Sequence, residues 1–194
     1  MGEAPDHDPK EYILKNLKTY SVDRVPPEKG SIFRKMAYMV EICLLVSIKI
    51  DKRAREEIKR FVIKYSNEDA GFGYENSTLT ETMHALSILE ELKVEYPRRN
   101  VRRFVETCRD PIYGFVNVPN ASISAIEYIY AGVQLSERLR CRYDTRRCIE
   151  FIDGCQRENG GFSRVPTGGI ATIENTYYAI ASLSQILHEK FNLI

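Results

Sequence analysis

The sequence predicts an all-α protein built from about four helical hairpins that follow one another along the chain. Three observations predict this fold class. An apolar pattern of helical spacing recurs along the chain, a Gly-Phe pair follows it at a constant distance, and a second apolar helix follows each pair. We expect a disordered polar lead over residues 1–10 and a single repeat domain over residues 11–194. The predicted repeats run approximately over residues 11–50, 51–95, 96–139 and 140–190.

The first helix of each hairpin is amphipathic. Its apolar residues recur at positions i, i+3, i+4 and i+7, which places them on one face of an α-helix. The other positions are mostly polar or charged, as in REEIKR and RRNVRR, so we expect these helices on the outside of the array. The apolar sets are Ile58, Phe61, Val62 and Tyr65; Val101, Phe104, Val105 and Cys108; Cys148, Phe151, Ile152 and Cys155; and a fainter set, Ile13, Asn16, Leu17 and Tyr20.

A Gly-Phe pair follows three of the four amphipathic helices, with its phenylalanine 14 residues after the start of the apolar set. The pairs are Gly71-Phe72, Gly114-Phe115 and Gly161-Phe162, and the first repeat has DRVPPEKG in their place. The constant offset favours an architectural role over a catalytic one. Glycine lets the chain turn out of the outer helix, and we expect the phenylalanine to pack beneath the hairpin.

The second helix of each hairpin is apolar on more than one side, which is typical of an inner helix. One face carries a column of alanine, which lets neighbouring helices approach closely. A hairpin of this kind cannot bury its apolar face alone, so the hairpins must stack. The alanine faces are Thr78, Thr82, Ala85 and Leu89; Ser124, Tyr128, Ala131 and Leu135; and Thr172, Thr176, Ala179 and Leu183. The second, more apolar faces are Leu79, Met83 and Leu86; Ala125, Ile129 and Gly132; and Ile173, Tyr177 and Ile180.

The stretch FIDGCQRENGGFSRVP, followed by TYYAIASL, resembles the repeat of protein prenyltransferase β subunits and of squalene and other triterpene cyclases. The match lies in Gln156, Gly160-Gly161-Phe162, Pro166 and the helix that follows. The resemblance implies an α/α toroid, in which inner helices surround a central cavity. Catalytic members of the family carry about six hairpins, so about four imply an incomplete or partner-closed ring. We therefore expect a homodimer or a partner subunit at the exposed ends of the helical arc.

The resemblance also implies where chemistry would occur. Protein prenyltransferases bind zinc through an Asp-x-Cys pair and a His in the first turns of inner helices. The aligned positions are Thr172 and Glu174, Ser124 and Ile126, or Thr78 and Thr80 for the pair, and Asn175, Glu127 or Glu81 for the histidine. The DxDD acid motif of triterpene cyclases and the DDxxD magnesium motif are both missing from the sequence. We therefore expect no metal and no cofactor, and we assign no catalytic residue.

Polar and aromatic residues recur in the first turns of the predicted inner helices and are candidates for the polar end of a ligand cavity. Such a cavity suits an apolar ligand with a polar or cationic head. The competing interpretation is structural, because acidic residues in a first turn favour the helix dipole and tyrosines commonly fill cores. The candidates are Glu81, His84, Glu127, Tyr130, Glu174, Asn175, Tyr177 and Tyr178.

Two functions follow. The first is a helical repeat protein that lacks the family's zinc and acid motifs and binds an isoprenoid-like ligand or a protein partner. The alternative is a prenyltransferase-like enzyme whose ring and active site are completed by a partner subunit or a second copy. We do not expect a zinc-dependent protein prenyltransferase in the lone chain.

Composition indicates which partners and which cellular compartment to expect. The formal net charge is +1, which gives no general attraction to nucleic acid, and we expect no integral membrane segment. The five cysteines form no CxxC pair, so we expect reduced thiols in a cytoplasmic protein. Cys108, Cys148 and Cys155 occupy apolar positions of the outer helices. Cys141 lies between arginines and is the one candidate for a lowered thiol pKa.

Overall fold

The computed structural model describes residue 11 and residues 31–192, with side chains as far as residue 188. Helices dominate this part of the chain, which confirms the all-α prediction. The fainter apolar set that begins at Ile13 lies outside the described residues. The helices are α1 (Arg34–Leu45), α2 (Lys52–Lys64), α3 (Leu79–Glu91), α4 (Arg98–Thr107), α5 (Ile126–Leu139), α6 (Thr145–Gly154) and α7 (Ile173–Asn192), and one small sheet contains β1 (Arg109–Asp110) and β2 (Gly114–Phe115).

The described residues form two compact units. The first contains the described residues up to Ser66 together with His84–Tyr96, and the second contains Asn67–Met83 and the described residues from Pro97 onward. Helix α3 is divided between them after Met83. None of the helices within the described ranges is both long and apolar enough to cross a membrane.

In the first unit, helix α2 begins at an aspartate cap and packs through its predicted apolar set. The Asp51 carboxylate accepts a hydrogen bond from the Ala54 N–H at 2.9 Å, which satisfies one of the free donors of the first turn. Phe61 is buried, and its ring lies edge-on to Phe33, with centroids 5.8 Å apart. Phe33 also contacts Tyr65 in the same geometry. Helix α2 therefore covers an apolar layer with one face, as its sequence pattern predicts.

In the second unit, α4 and α6 repeat this arrangement. Their apolar sets are buried, including Cys108, Cys148 and Cys155 at the ends of the pattern. Their outer faces carry ion pairs one turn apart, Arg102 with Glu106 and Arg146 with Glu150. Exposed pairs of this kind stabilise a helix by only about 0.5 kcal/mol each. The arginine-rich outer faces are thus solvated surfaces over a buried apolar stripe.

The three Gly-Phe pairs occupy equivalent places. Phe72, Phe115 and Phe162 are all buried, and each belongs to a short antiparallel bridge or strand pair. The N–H of Phe72 donates to Thr82 Oγ1 at 3.0 Å, and the N–H of Phe162 donates to Thr176 Oγ1 at 3.1 Å. Each of these loops is therefore tied to the inner helix of its own hairpin through a threonine one turn into that helix.

The strand pair β1–β2 was not predicted from the sequence. Arg109 pairs with Phe115 and Asp110 pairs with Gly114, with Gly114 at φ +92°. A Cβ at Gly114 would lie 2.7 Å from Cys148 Sγ, so both the backbone angle and the close packing require glycine. The middle Gly-Phe pair thus belongs to a two-residue ladder, whereas Phe72 and Phe162 each form an isolated bridge.

Besides the bonds within each hairpin, a backbone hydrogen bond joins each of two hairpins to the one that follows it. The N–H of Leu79, the first residue of α3, donates to the carbonyl of Asn117 at 2.7 Å. The N–H of Ile126, the first residue of α5, donates to the carbonyl of Arg164 at 2.9 Å. Asn117 and Arg164 each lie two residues after the phenylalanine of the following hairpin. A helix leaves its first N–H groups without intrahelical acceptors, and here the next hairpin supplies one.

Helix α5 packs against α7 and also receives the Phe115 side chain. A Cβ at Gly132 would lie 2.2 Å from the Phe115 ring, so Gly132 provides the space that this ring occupies. The Gln134 amide donates to Gln185 Oε1 on α7, and the Tyr130 ring contacts Tyr178. Because these contacts advance in the same direction along both helices, α5 and α7 run parallel.

The fit of Phe115 against Gly132 predicts a measurable steric conflict. We expect Gly132→Ala to lower the free energy of unfolding by about 2 kcal/mol, because the added methyl group overlaps the ring. Chemical denaturation of the full chain measures this change. Helix propensity alone predicts the opposite sign, since alanine is favoured over glycine by about 1 kcal/mol in a helix.

The matched control is the double variant Gly132→Ala/Phe115→Leu. Leucine vacates the space that the alanine methyl group needs, so the double variant should lose less stability than the two single variants added together. Additive losses, or a Gly132→Ala protein as stable as the unmodified chain, would contradict the packing described here.

Candidate ligand-binding site

Three tyrosines on α5 and α7 form an aromatic group in the second unit, which we call the tyrosine cluster: Tyr130, Tyr177 and Tyr178. The ring centroids of Tyr130 and Tyr178 are 4.9 Å apart, and Tyr177 lies 5.8 Å from each of them. Tyr178 is buried, whereas Tyr177 is 58% exposed. The parallel packing of α5 on α7 brings these rings together near the N-terminal ends of both helices.

Two carboxylates flank the tyrosine cluster, one on each helix. The Tyr178 hydroxyl donates to Glu174 Oε1 at 3.0 Å, within the first turn of α7. Glu127 lies one turn before Tyr130 on α5, and side chains three residues apart are neighbours on a helix surface. Glu174 is therefore bonded to the cluster directly, whereas Glu127 is its neighbour by position on α5.

Glu127 forms an ion pair with Arg164 of the following hairpin. Its Oε1 atom accepts from Arg164 Nε at 2.7 Å and lies 2.6 Å from Arg164 Nη2, which also reaches the Tyr128 hydroxyl at 3.3 Å. The hydrogen bond that Arg164 donates to Glu127 raises the pKa of the guanidinium above its usual value. Both nitrogens lie at Oε1. Within the described part of the chain, Glu127 Oε2 is buried without a hydrogen-bond partner.

Arg164 is held in place by the loop that contains it. Arg157 Nη2 lies 2.5 to 3.0 Å from Ser163 Oγ and from the carbonyl oxygens of Val165, Pro166 and Gly168, which share its two hydrogens. One guanidinium nitrogen thus contacts the loop at residues on both sides of Arg164. The Arg164 carbonyl then meets the start of α5, while its side chain meets Glu127 on the same helix.

The structure brings some of the eight candidate residues into contact and leaves the others apart. Tyr130, Glu174, Tyr177 and Tyr178 come together, and Glu127 pairs with Arg164 one turn before Tyr130. The other three lie elsewhere or cap helices: the backbone N–H groups of Glu81 and Asn175 donate to Thr78 Oγ1 and Thr172 Oγ1, both at 3.1 Å, and His84 is buried in the first unit with its ring edge-on to Tyr38.

Sequence reasoning missed Arg164 and Arg157, the two residues that organise this region. A signal was present for Arg164, because it occupies the same place after the Gly-Phe pair as Asn117, whose carbonyl also joins consecutive hairpins. Nothing in the sequence marks Arg157, whose role depends on a loop that folds back over it.

Two open grooves lie away from the tyrosine cluster. One, of about 590 Å³, lies in the first unit between Lys52, Lys59 and the turn at Leu92 to Glu95. The other, of about 550 Å³, lies in the second unit along Gln156 to Asn159 and Gly169 to Ala171. Neither groove contains a residue of the tyrosine cluster. A ligand at the cluster would lie partly against the exposed side of Tyr177.

Comparison with protein families identifies the family to which the chain belongs. The model of the prenyltransferase alpha-alpha toroid domain matches residues 11–193, nearly the whole sequence. The chain belongs to this family. No curated protein matches the sequence. Among solved structures, Candida albicans protein geranylgeranyltransferase-I complexed with GGPP matches with a TM-score of 0.73 and 17% identity.

That match covers 92% of this chain and 58% of the geranylgeranyltransferase chain. The chain therefore spans a little over half the length of this structural relative. At 17% identity the likeness establishes the fold, and the α/α toroid class implied by the family resemblance is confirmed.

The residues at the family's zinc positions do not fit a zinc site. Ser124 is buried and donates to the Phe115 carbonyl at 2.6 Å, and Thr80 Oγ1 donates to Asn117 Oδ1 at 3.0 Å. Thr78 and Thr172 cap their helices through Oγ1. Across residue 11 and residues 31–192, no three His, Cys, Asp or Glu side chains lie close enough together to hold a metal ion.

Burial keeps the cysteine thiols from ionising to the reactive thiolate. All five are unpaired and buried, and burial raises the pKa of every one of them. The pKa reaches about 12 for Cys108 and Cys148 and about 11 for Cys155. The expectation of a lowered pKa at Cys141 is wrong. Desolvation of its thiol outweighs the opposing influence of Arg102 and Arg109.

We expect Arg157→Met to lower the free energy of unfolding by about 2 kcal/mol, because several loop carbonyls lose a charged donor. Hydrogen exchange at the Ile126 amide should also become faster, since its acceptor is the Arg164 carbonyl. Denaturation and amide exchange measure the two effects. Arg147→Met is the matched control, because Arg147 forms only an exposed ion pair with Glu150 and its loss should cost under about 0.5 kcal/mol. Equal losses in the two variants would show that Arg157 does not hold the loop.

The raised thiol pKa values predict slow reaction with disulfide reagents. At pH 8 the folded chain should show no fast-reacting thiol toward 5,5′-dithiobis(2-nitrobenzoate), whereas all five should react rapidly in guanidinium chloride. The thiolate is the reactive form, and folding suppresses it by moving each pKa upward from about 9. A single fast thiol that disappears in Cys141→Ser would contradict the environment described for Cys141.

Proposed function

We propose that this chain binds an apolar, isoprenoid-like ligand whose polar or cationic head lies between Glu127 and the tyrosine cluster. The observation that carries the proposal is Glu127 Oε2, a buried carboxylate oxygen without a partner in the described part of the chain. A buried acceptor of this kind costs about 1–3 kcal/mol when unsatisfied. A ligand that donates a hydrogen bond there would recover this free energy.

The surroundings favour a donor or a cation as the head group. Arg164 occupies Glu127 Oε1, and Tyr178 occupies Glu174 Oε1. Tyrosine faces attract cations within about 6 Å of the ring centroid. A diphosphate would instead meet two carboxylates with one partly exposed arginine to balance them, so an alcohol or an ammonium fits this region better.

The class of apolar tail is proposed from the fold. The structural relative named above is a protein geranylgeranyltransferase-I complexed with GGPP, and membership of the toroid family supports an isoprenoid-like tail here. The unpaired cysteines support a reducing compartment, and we include a cytoplasmic location in the proposal.

Binding to a protein partner belongs to the same proposal, because α7 carries exposed apolar side chains that one chain leaves uncovered. The alternative is an enzyme whose ring and active site are completed by a partner subunit or a second copy. It predicts tight binding of a prenyl diphosphate and a requirement for metal once the assembly is complete.

Three probes with the same tail separate these possibilities: farnesylamine, farnesol and farnesyl diphosphate, each below its micelle concentration. Calorimetry on the full chain should give the tightest binding for farnesylamine, followed by farnesol, and the weakest for farnesyl diphosphate. Glu127→Gln should weaken farnesylamine about tenfold, through loss of the charge, and should affect farnesol less.

Glu158→Gln is the matched control, because Glu158 is an exposed glutamate of the same unit and should leave all three affinities unchanged. Tightest binding of farnesyl diphosphate, strengthened by zinc or magnesium, would overturn the proposal in favour of the enzyme. Absence of binding for all three probes would reject the ligand site altogether.

A further inference from the structure

The more apolar face of the inner helices has a different environment in α7 from that in α3 and α5. The residues that occupy this face in α3 and α5 are buried. The equivalent residues of α7 are exposed, by 92% for Ile173, 58% for Tyr177 and 58% for Ile180. The buried equivalents are Leu79, Met83 and Leu86 in α3 and Ala125, Ile129 and Gly132 in α5.

The start of α7 differs in a second, independent respect. The first N–H of α3 and the first N–H of α5 each donate to a carbonyl from the loop of the following hairpin. Within the described part of the chain, the N–H of Ile173 has no such acceptor. Among the described residues, α7 therefore lacks both the burial of this face and the backbone acceptor that are found in α3 and α5.

A complementary surface occurs on α1, the first inner helix described. Tyr38, Ile42 and Leu45 follow one another at helical spacing and are 43%, 38% and 76% exposed. Lys35 extends this stripe by one turn toward the N-terminus and is exposed as well. In the described part of the chain, exposed apolar stripes thus lie on both α1 and α7.

We propose that α7 of one copy packs against α1 of a second copy, in the parallel orientation that α5 and α7 adopt within one chain. In this orientation the N-terminal ends meet, so the exposed Lys35 approaches the exposed Glu174. One turn further along, Tyr38 meets Tyr177, and then Ile42 meets Ile180. Opposite charges at one end and apolar pairs along the rest make the two stripes complementary.

This contact identifies the protein partner of the proposed function as a second copy of the chain. It rests only on the part of that proposal that concerns a protein partner. It does not depend on the ligand or its head group. The contact is heterologous, because two different surfaces meet, and every copy offers both of them. It also covers the exposed side of Tyr177, so the second copy would border the candidate ligand site.

The test is the solution mass of the full chain by analytical ultracentrifugation across a concentration series. We expect dimers or closed larger assemblies for the unmodified chain. Both Ile180→Glu and Ile42→Glu should raise the dissociation constant at least about a hundredfold, because each places an unpaired charge in the contact. Both sites are on the surface, and circular dichroism checks that the variants remain folded. Ile63→Glu on outer helix α2 is the matched control and should leave the mass unchanged, since Ile63 is 49% exposed and belongs to neither stripe.

A mixing experiment identifies the occupant. The Ile180→Glu chain retains a sound α1, and the Ile42→Glu chain retains a sound α7. An equimolar mixture should therefore form heterodimers through the one remaining pair, although each variant alone is monomeric. A monomeric unmodified chain overturns the proposal. Dissociation by Ile180→Glu alone, without recovery on mixing, also overturns it, because that result means α7 pairs with itself.

The outcome is separable from that of the ligand proposal. Ile180→Glu and Ile42→Glu leave Glu127, Tyr130 and Tyr178 in place, and the farnesylamine titration can be repeated on each monomeric variant. Loss of assembly with retained binding supports both proposals. A monomeric unmodified chain that binds farnesylamine rejects only the second copy.

Discussion

The architecture depends on one backbone interaction, the hydrogen bond from the first N–H of an inner helix to a carbonyl in the loop of the next hairpin. Leu79 and Ile126 make this bond to Asn117 and Arg164. The start of an α-helix has donors that its own turns cannot satisfy. Since the acceptor comes from the following hairpin, each inner helix is completed only when its neighbour is in place. Stability in such an array therefore arises between repeats as much as within them.

The Gly-Phe loop makes this bond possible because it fixes where the acceptor lies. The phenylalanine is buried, and in two repeats its N–H is bound by a threonine of its own inner helix. Two residues later, the carbonyl of Asn117 or Arg164 reaches the neighbouring hairpin. In the last described repeat the same residue also directs its guanidinium to Glu127. One loop position thus supports both the packing of the hairpins and the electrostatics of the candidate site. A substitution in this loop should therefore be judged by stability and by binding together.

Much of the fold could be predicted from the sequence because it repeats. The apolar sets beginning at Ile58, Val101 and Cys148 are the buried faces of α2, α4 and α6. The Gly-Phe offset marked the loops between outer and inner helices. Periodicity reports which face of a helix is apolar, and that information is local.

The site was less predictable, because its geometry depends on how the chain folds back on itself. Four of the eight candidates, Tyr130, Glu174, Tyr177 and Tyr178, do come together. Nothing in the sequence separated them from Glu81 and Asn175, whose backbone N–H groups take part in helix caps. Arg157 acts on carbonyls up to 11 residues away, which no spacing rule identifies. Cys141 was misjudged because the arginines near it were visible in the sequence, whereas the burial that dominates its pKa was not.

Tyr177 connects the two proposals physically. Its hydroxyl lies 3.4 Å from that of Tyr130, within the cluster, while its exposed side belongs to the stripe of α7. A ligand head beside Glu127 and a second copy on α7 would use different sides of the same ring, and each would restrict its motion. The second to bind would find part of that ordering already done, which favours positive coupling. Because coupling between two binding equilibria is reciprocal, the ligand would strengthen assembly by the same factor by which assembly strengthens ligand binding.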